Sequence, residues 1–483
     1  MNFFSQYCAP ARARMLICLL SLALLGCANF STDGGLNRVS ELSKERIGSS
    51  ATNVLNAHNV ANAVNSPEVQ ERINALLSAP LSSDAAVEMA LLSNPRLRIA
   101  LAELGIAEAD LVQAGRLRNP GFSFGRLSGN GEVEIDRAIM FDLSGLLSMP
   151  LRRAIEERRF AQTQLQTALQ IVRLATDTRR AYFQAVAAQQ SLLYMQQVDQ
   201  AAQASSELAD RMTKAGNWGK LEQAREQAFR YEVAVQLARA EHNVNASHER
   251  LVRLLGLGDR HHALKLPERL PDLPVALRRV EEIETQALAQ RLDVQVAKLD
   301  TESTAKSLGL TRATRFVNAF EVGYQNKSAS NAALAQGYQV EFSLPLFDWG
   351  QTRVRRAENI YMRSFYRSTD VALQARSEAR EGYAAYRTNF AIARQYRDEI
   401  IPARKRVSDE VLLRYNGMLS SVFELLADAR AQIASINSAI DAQRDFWVAE
   451  SELNFVVNGG SLTSSLTSGS IGNVTPTSAQ QTH

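Results

Sequence analysis

The chain has 483 residues, of which 46% are hydrophobic and 22% are charged, and its formal net charge is +3. With so small a net charge and both signs interspersed, the chain has no basic stripe, which argues against nucleic acid as a partner. After residue 26, no apolar run approaches the roughly twenty residues that a transmembrane helix needs.

Residues 1–26 have the pattern of an export signal. A basic pair precedes an apolar run from residue 15 to residue 26, which is too short to span a bilayer as a helix. The ending Leu25-Gly26-Cys27 resembles the lipobox of bacterial lipoproteins, which implies a lipid on Cys27 after cleavage. Ala28 fits an outer-membrane address, since aspartate there would resemble the inner-membrane retention signal. The alternative is a chance cysteine beside an ordinary signal peptide.

Beyond an N-terminal extension predicted over 27–80, the sequence repeats itself. "AVEMALLSNPRLRIALAEL" (Ala86 to Leu104) aligns with "IETQALAQRLDVQVAKLDT" (Ile283 to Thr301), and "LSMPLRRA" aligns with "FSLPLFDW" at a similar offset of about 200 residues. We therefore predict one repeat over 81–275 and a second over 276–460. A Ser/Thr/Gly-rich tail over 461–483 is predicted to be disordered.

Each repeat is predicted to contain a β-hairpin, over about 121–144 in the first and about 316–344 in the second. In "EVEIDRAIMFDL" apolar residues alternate with polar ones, and Arg137 is the one break in the apolar row. One face is thus compatible with lipid and the other is polar, although a soluble antiparallel sheet would give the same alternation. Since four strands cannot close a barrel, the open edges must pair with further copies.

Each repeat continues into a long helical hairpin, predicted over about 151–256 and about 350–457. No proline occurs between Pro150 and Pro267, and "TKAGNWGK" (Thr213 to Lys220) is the strong breaker in that run. Apolar residues recur at an average spacing of 3.5, which predicts one seam that faces a neighbouring helix. The seams are Leu221, Ala224, Ala228, Tyr231, Val235 and Ala238 in the first hairpin, and Val422, Leu426, Ala429, Ile433, Ile436 and Ile440 in the second.

The two hairpins differ at one proline. Pro402 in "EIIPARKR" disrupts a helix, whereas the matching residue of the first hairpin is Ala201. We therefore expect the second hairpin to be the bent, mobile one.

These features together resemble the TolC family of outer-membrane efflux channels, from about Leu81 to Gly460. The matching motifs are "SNPRLRIALAE", "LRNPGFSF", "LVRLLGLG", "SLPLFDWGQTR" and "RYNGMLSSVFELLADAR". The resemblance implies a mainly α fold with a transmembrane β-barrel portion, in which each protomer of a homotrimer gives four strands to a twelve-stranded barrel. Long coiled-coil helices would form a periplasmic α-barrel, with a smaller mixed belt around residues 261–274 and the tails of the chain.

The resemblance also implies a function and partners. The chain would be a passive conduit in the outer-membrane lipid that exports drugs, metal ions or other small substrates, working with a periplasmic adaptor and an inner-membrane pump of RND type. A periplasmic coiled-coil lipoprotein without channel activity is the alternative, but it does not explain the strands. An adaptor should have one hairpin and no duplication.

No catalytic set, cofactor site or metal site is predicted. The six histidines show no ligand spacing except the adjacent His261 and His262, which we interpret as a solvated loop pair. The chain is therefore predicted not to be an enzyme.

The two helical turns are predicted to contact the adaptor, because each contains a glycine that relieves the strain of a sharp reversal. Trp218 is either an exposed contact or packed between helices. The predicted contact residues are Gly216, Asn217 and Trp218 in the first turn, and Gly417, Met418 and Ser420 in the second.

A ring of carboxylates from Glu424 and Asp428 is predicted to form the closed gate. Four residues apart in "FELLADAR", they project from the same helix face, and such charge rings select for cations. In the family, acidic residues follow the second turn; Glu424 matches the first, but the second would be expected at Ala427. The alternative is two solvated carboxylates, paired with Arg430 or Arg414.

Overall fold

The computed structural model describes residues 29–47, 67–129, 132–258, 264–278, 282–315, 320–330, 332–342 and 347–462. Cys27, the rest of the predicted signal peptide, the His261 and His262 pair and nearly all of the predicted tail lie outside these residues.

The same order of elements occurs twice along the chain. The first part comprises α1 (Leu36–Ile47), α2 (Pro67–Leu77), α3 (Ser83–Ser93), α4 (Pro95–Ala114), β1 (Gly121–Gly129), β2 (Glu132–Asp142), α5 (Leu143–Lys214) and α6 (Lys220–Leu255). The second part comprises α7 (Ile283–Gln290), α8 (Leu292–Ala313), β3 (Phe320–Ala329), β4 (Ala332–Phe342), α9 (Gln351–Gln395), a π-helical turn (Tyr396–Ile400), α10 (Ile401–Asn416) and α11 (Val422–Asn458). From α3 and from α7 onward, two short helices precede two strands and a long hairpin.

The predicted fold class is confirmed, since the molecule consists of long helices and one four-stranded antiparallel sheet. At about 1.5 Å per residue, the 72 residues of α5 extend for about 108 Å. None of the described helices combines the length and hydropathy that crossing a membrane requires. The domain limits at residues 81, 276 and 461 stay predictions.

Helix α5 begins earlier than the sequence predicts. Its first residue is Leu143, because the Asp142 side chain accepts a hydrogen bond from the backbone N–H of Gly145 at 2.7 Å and caps the helix. Pro150, which we placed just before the helix, lies inside it and cannot donate to the carbonyl of Leu146. The cap at Asp142 therefore determines where the strand ends.

The main hydrophobic core surrounds the middle of α5. Helices α1 to α4 pack there with the end of α6, and the buried side chains include Met89, Leu91, Ile171, Val186 and Leu255. The segment 264–278 crosses the long helices at this level, where the carbonyl of Pro271 accepts from the indole N–H of Trp447 at 2.9 Å. A second core joins α7, α9 and α11.

Two of the family motifs meet at the end of α6. Asn94 caps α4 by accepting from the backbone N–H of Arg96 at 2.8 Å, and its amide donates to the carbonyl of Leu254 at 2.7 Å. Gly256 ends α6 with φ +66°, and a Cβ there would lie 2.6 Å from the carbonyl oxygen of Ser93. The "SNPRL" and "LVRLLGLG" motifs therefore form one junction in which a side chain on Gly256 would clash.

The corresponding junction of the second part uses a buried cation. Arg291 lies between α7 and α8 with its side chain fully buried, and its guanidinium donates to Asp293 at 2.7 Å and to Glu378 at 2.9 Å. Burial opposes the charge, but the hydrogen bonds to Asp293 and Glu378 raise the pKa of Arg291. The backbone N–H of Leu292 also donates to the carbonyl of Gly459 at 3.0 Å, so the junction joins α8, α9 and the end of α11.

The two predicted seams differ in how they pack. In α11 the seam is half-buried or buried, and it contacts α5 around Ile433 and Ile440. In α6 all six seam residues are exposed in the single chain, including Tyr231 at 66%. Helix α6 instead packs on α5 through a second face, with Val233 buried. Within the described chain no helix covers the α6 seam, so the expectation that it faces a neighbouring helix stays a prediction.

The second hairpin is irregular at the predicted place. The π-helical turn Tyr396–Ile400 separates α9 from α10, and Pro402 lies in the first turn of α10. Since proline lacks the N–H that a helix donates four residues back, the ladder must adjust just before it. The first hairpin is continuous through Ala201.

Candidate functional site

The four strands form one antiparallel sheet in the order β1-β2-β3-β4. Residues opposite each other in neighbouring strands project to the same face, so the register assigns every side chain to a face. The outer strands, β1 and β4, each leave one edge unpaired among the described residues.

One face, which we call the apolar face, carries rows of aromatic and aliphatic side chains. Its cross-strand rows are Phe320 with Phe342; Phe141 with Val322 and Val340; Phe122 with Ile139, Tyr324 and Tyr338; and Phe124 with Arg137, Asn326 and Gln336. Most of these large apolar side chains are exposed, Tyr338 at 87%. The face has nothing in the described chain to cover it.

The opposite face, which we call the charged face, is small and acidic. It carries Glu132, Glu134, Asp136, Asp142, Glu321 and Glu341, together with Lys327 and several glycines. Lys327 lies 3.4 Å from Asp136 and 3.8 Å from Glu134. The predicted alternation of a lipid-compatible face with a polar face agrees with this register.

The first helical turn reverses the chain at a left-handed glycine. Gly216 has φ +77°, and the backbone N–H of Asn217 donates to the carbonyl of Met212 at 2.9 Å. Just above it, Asp210 accepts from Gln223 at 2.8 Å, a hydrogen bond that lowers the pKa of Asp210 below its ordinary value. The two arms of this hairpin are therefore joined next to the turn.

The second turn reverses differently from the prediction. Gly417 has φ −83°, and the residue in the left-handed region is Met418, with φ +57°. A non-glycine side chain there costs about 1–2 kcal/mol. Met418 and Leu419 are also 94% and 82% exposed. The second turn is therefore strained at Met418 and apolar at its surface, whereas we expected Gly417 to relieve the strain.

The two turns touch each other. The rings of Trp218 and Phe423 stack with centroids 5.5 Å apart, and Trp218 is half-buried. Of the two alternatives for Trp218, the structure thus favours a residue packed between helices.

The two predicted gate carboxylates differ in exposure. Glu424 is exposed and accepts from the hydroxyl of Ser420 at 2.7 Å, while Ser421 caps α11 and accepts from the N–H of Glu424. Asp428 is half-buried, and its Oδ2 atom is buried without a hydrogen-bond partner among the described residues. Neither carboxylate pairs with Arg430 or Arg414; Arg414 binds Glu410 of its own helix at 2.9 Å.

A charged contact joins the two hairpins near their tips. Arg430 in α11 donates to Glu226 in α6 at 3.1 Å, and its guanidinium carbon lies 4.2 Å from the ring centroid of Phe229. The hydroxyl of Ser205 in α5 donates to the same carboxylate at 2.9 Å. The Glu226 side chain is 3% exposed, so the contact holds a buried charge between the hairpins. We call the contact of Arg430 with Glu226 the clamp.

Sequence reasoning missed this clamp. Glu226 lies seven residues before Val233 on the face of α6 that packs inward. A carboxylate in heptad register with a buried valine was the available signal, but the more regular seam obscured it.

Within the part of the chain that the structure describes, no group of three or more His, Cys, Asp or Glu residues could hold a metal ion.

Several solved structures share this architecture. A membrane protein from Pseudomonas aeruginosa is 17% identical with a TM-score of 0.67, over 78% of this chain and 93% of that chain. The outer membrane channel CmeC from Campylobacter jejuni is 16% identical with a TM-score of 0.66, over 81% and 87%. The outer membrane channel MtrE from Neisseria gonorrhoeae, in its open state, is 16% identical with a TM-score of 0.61, over 82% and 89%. No family model and no curated protein matches the sequence.

Proposed function

We propose that this chain, which has the fold of the TolC-family channels, is the outer-membrane channel of a tripartite efflux system. It is a passive homotrimeric conduit for drugs, metal ions or other small substrates, and it works with a periplasmic adaptor and an inner-membrane pump of RND type. Cys27 carries the lipid at the mature N-terminus. The neighbours named as outer-membrane channels support the role and the location.

One observation carries this proposal: a sheet with an apolar and a charged face continues into two long helical hairpins, of which helix α5 alone extends for about 108 Å. In lipid, a sheet must close so that every backbone group is paired. If the free edges of β1 and β4 pair between copies, the apolar face meets lipid and the charged face lines water. A periplasmic coiled-coil lipoprotein without a channel would not need a sheet with one apolar and one charged face.

The exposed α6 seam is a surface for the neighbouring copy in the trimer. Burying an unpaired carboxylate there costs about 2 kcal/mol or more per copy. We therefore expect Tyr231→Glu or Val235→Glu to shift the detergent-solubilised protein from trimer to monomer, measured by light scattering. Gln236→Glu, an exposed position beside the seam, should remain trimeric. A trimer in all three variants would remove the seam from the interface.

The gate assignment can be tested by conductance in planar bilayers. We expect the wild-type chain to form cation-selective channels that multivalent cations block, and Glu424→Ala with Asp428→Ala to lose most of both properties. Glu410→Ala, an exposed carboxylate paired within α10, should keep them. Unchanged selectivity and block in the double variant would reject the gate, whereas absence of any wild-type conductance would reject the channel.

The two turns are the surface for the adaptor, and the exposed Met418 and Leu419 add apolar area to it. We expect Asn217→Cys and Ser420→Cys to crosslink to the adaptor in cells, and Asn243→Cys, about 35 Å along α6 from its first residue, to crosslink far less. Labelling of the tip cysteines by a membrane-impermeant reagent applied outside intact cells would show that the orientation is reversed.

A further inference from the structure

The ionisable residues of the sheet are divided unequally between its faces. Every carboxylate of the described strand residues lies on the charged face. The charged residues of the apolar face are two cations, Arg126 in β1 and Arg137 in β2. Both arginines are exposed.

The two arginines are close enough to share one ligand. Arg126 lies opposite Ile135, and Arg137 lies opposite Phe124, so the arginines are diagonal neighbours across β1 and β2. Diagonal neighbours are about 7–8 Å apart. Two long guanidinium side chains can therefore reach the same anion.

Neither guanidinium is neutralised within the part of the chain that the structure describes. No ion pair or side-chain hydrogen bond involves Arg126 or Arg137, whereas Lys327 on the charged face pairs with two carboxylates. A second copy docked edge to edge at β1 would bring the apolar face of its β4, and that face has no carboxylate either. The positive charge of Arg126 and Arg137 is therefore available to an anion that is not a carboxylate of the described strands.

The position of Arg126 and Arg137 along the strands indicates what kind of anion they bind. Three successive rows of the apolar face are entirely apolar or aromatic, ending with the row of Tyr324 and Tyr338. The next row contains Arg137, and Arg126 lies one row beyond it towards the β1–β2 turn. Aromatic rows mark the level of lipid head groups on membrane barrels, so the arginines lie at or just beyond that level.

We propose that Arg126 and Arg137 together bind the phosphate of an anionic lipid head group, in the leaflet next to the strand turns. This rests on the proposed function, because it requires the apolar face to lie in the membrane. Arginine suits the role, since its planar fork matches phosphate oxygens.

Native mass spectrometry of the full chain, released from micelles that contain phosphatidylglycerol and phosphatidylcholine, tests the proposal. We expect wild type to retain phosphatidylglycerol preferentially, and Arg126→Gln with Arg137→Gln to lose about 30-fold of that preference, as two basic contacts at an anionic surface would give. Lys327→Gln removes one charge from the other face and should leave retention unchanged. Excess inorganic phosphate should compete poorly.

The double lysine variant, Arg126→Lys with Arg137→Lys, should recover most of the retention. The oligomer mass in the same spectra shows that each variant is assembled. Equal retention in the glutamine variant, an equal loss in Lys327→Gln, or full displacement by inorganic phosphate would overturn the proposal. Conductance in planar bilayers separates the lipid-binding proposal from the proposed function. A wild type without conductance would reject the channel function. A glutamine variant that conducts but has lost lipid retention would support both the channel function and the lipid site.

Discussion

Replacing Arg291 by leucine is expected to lower the free energy of unfolding by about 3–5 kcal/mol, the range for breaking a buried ion pair from one side. The change leaves Asp293 and Glu378 facing each other, with side chains only 19% and 21% exposed. Thermal unfolding followed by circular dichroism, and protease resistance at fixed temperature, measure the loss.

Arg380→Leu is the matched control. That arginine pairs with Glu284 at 3.1 Å, but its side chain is 63% exposed, so its loss should cost at most about 1 kcal/mol. Adding Asp293→Asn and Glu378→Gln to the Arg291 variant removes the stranded charges and should restore part of the stability. Equal losses for Arg291→Leu and Arg380→Leu would show that the buried cluster around Arg291 stabilises the fold no more than an exposed ion pair.

Replacing Arg430 by alanine is expected to loosen the contact between the hairpin tips. The buried carboxylate of Glu226 then keeps only the hydroxyl of Ser205. Because the Arg430 side chain is 40% exposed, we expect about 2 kcal/mol, below the range for a fully buried pair. Such a change alters an equilibrium about 30-fold, and the measurement is the open fraction of single channels in planar bilayers.

Arg414→Ala is the matched control for this variant. It removes an arginine at the same end of the molecule, but one that binds Glu410 within its own helix and is 57% exposed. Glu226→Gln with Arg430→Met, which leaves no stranded charge, should open less than Arg430→Ala if the unpaired carboxylate drives the effect. An open fraction as low in Arg430→Ala as in Arg414→Ala would show that the clamp does not hold the tips.

The features read correctly from the sequence are those that local pattern determines. Alternation along "EVEIDRAIMFDL" predicted both faces of β2, and "TKAGNWGK" predicted the first turn, because each signal lies within a few residues. The resemblance to the TolC family is confirmed at the level of the fold.

The features that were missed depend on which distant residues come together. Helix α6 has two possible apolar faces, and only the position of α5 decides that Val233 points inward and Tyr231 outward. The same holds for Arg430 and Glu226, which lie 204 residues apart. For the second turn, the left-handed residue is Met418 and not the neighbouring glycine, because glycine permits a positive φ without requiring it.

The pairing of β2 with β3 has a consequence for the order in which the chain folds. Each hairpin, β1–β2 or β3–β4, closes over a short loop, but β2 and β3 join residues about 200 positions apart, as in Glu134 with Ala329. At about 5–20 residues per second of synthesis, the end of β4 follows the end of β2 by roughly 10–40 s, whereas a hairpin forms in about 1–10 µs. For that interval the edge of β2 that later pairs with β3 is unpaired beside an apolar face, an arrangement prone to aggregate. The β1–β2 hairpin therefore needs protection at that edge until the second half of the chain is available to pair with it.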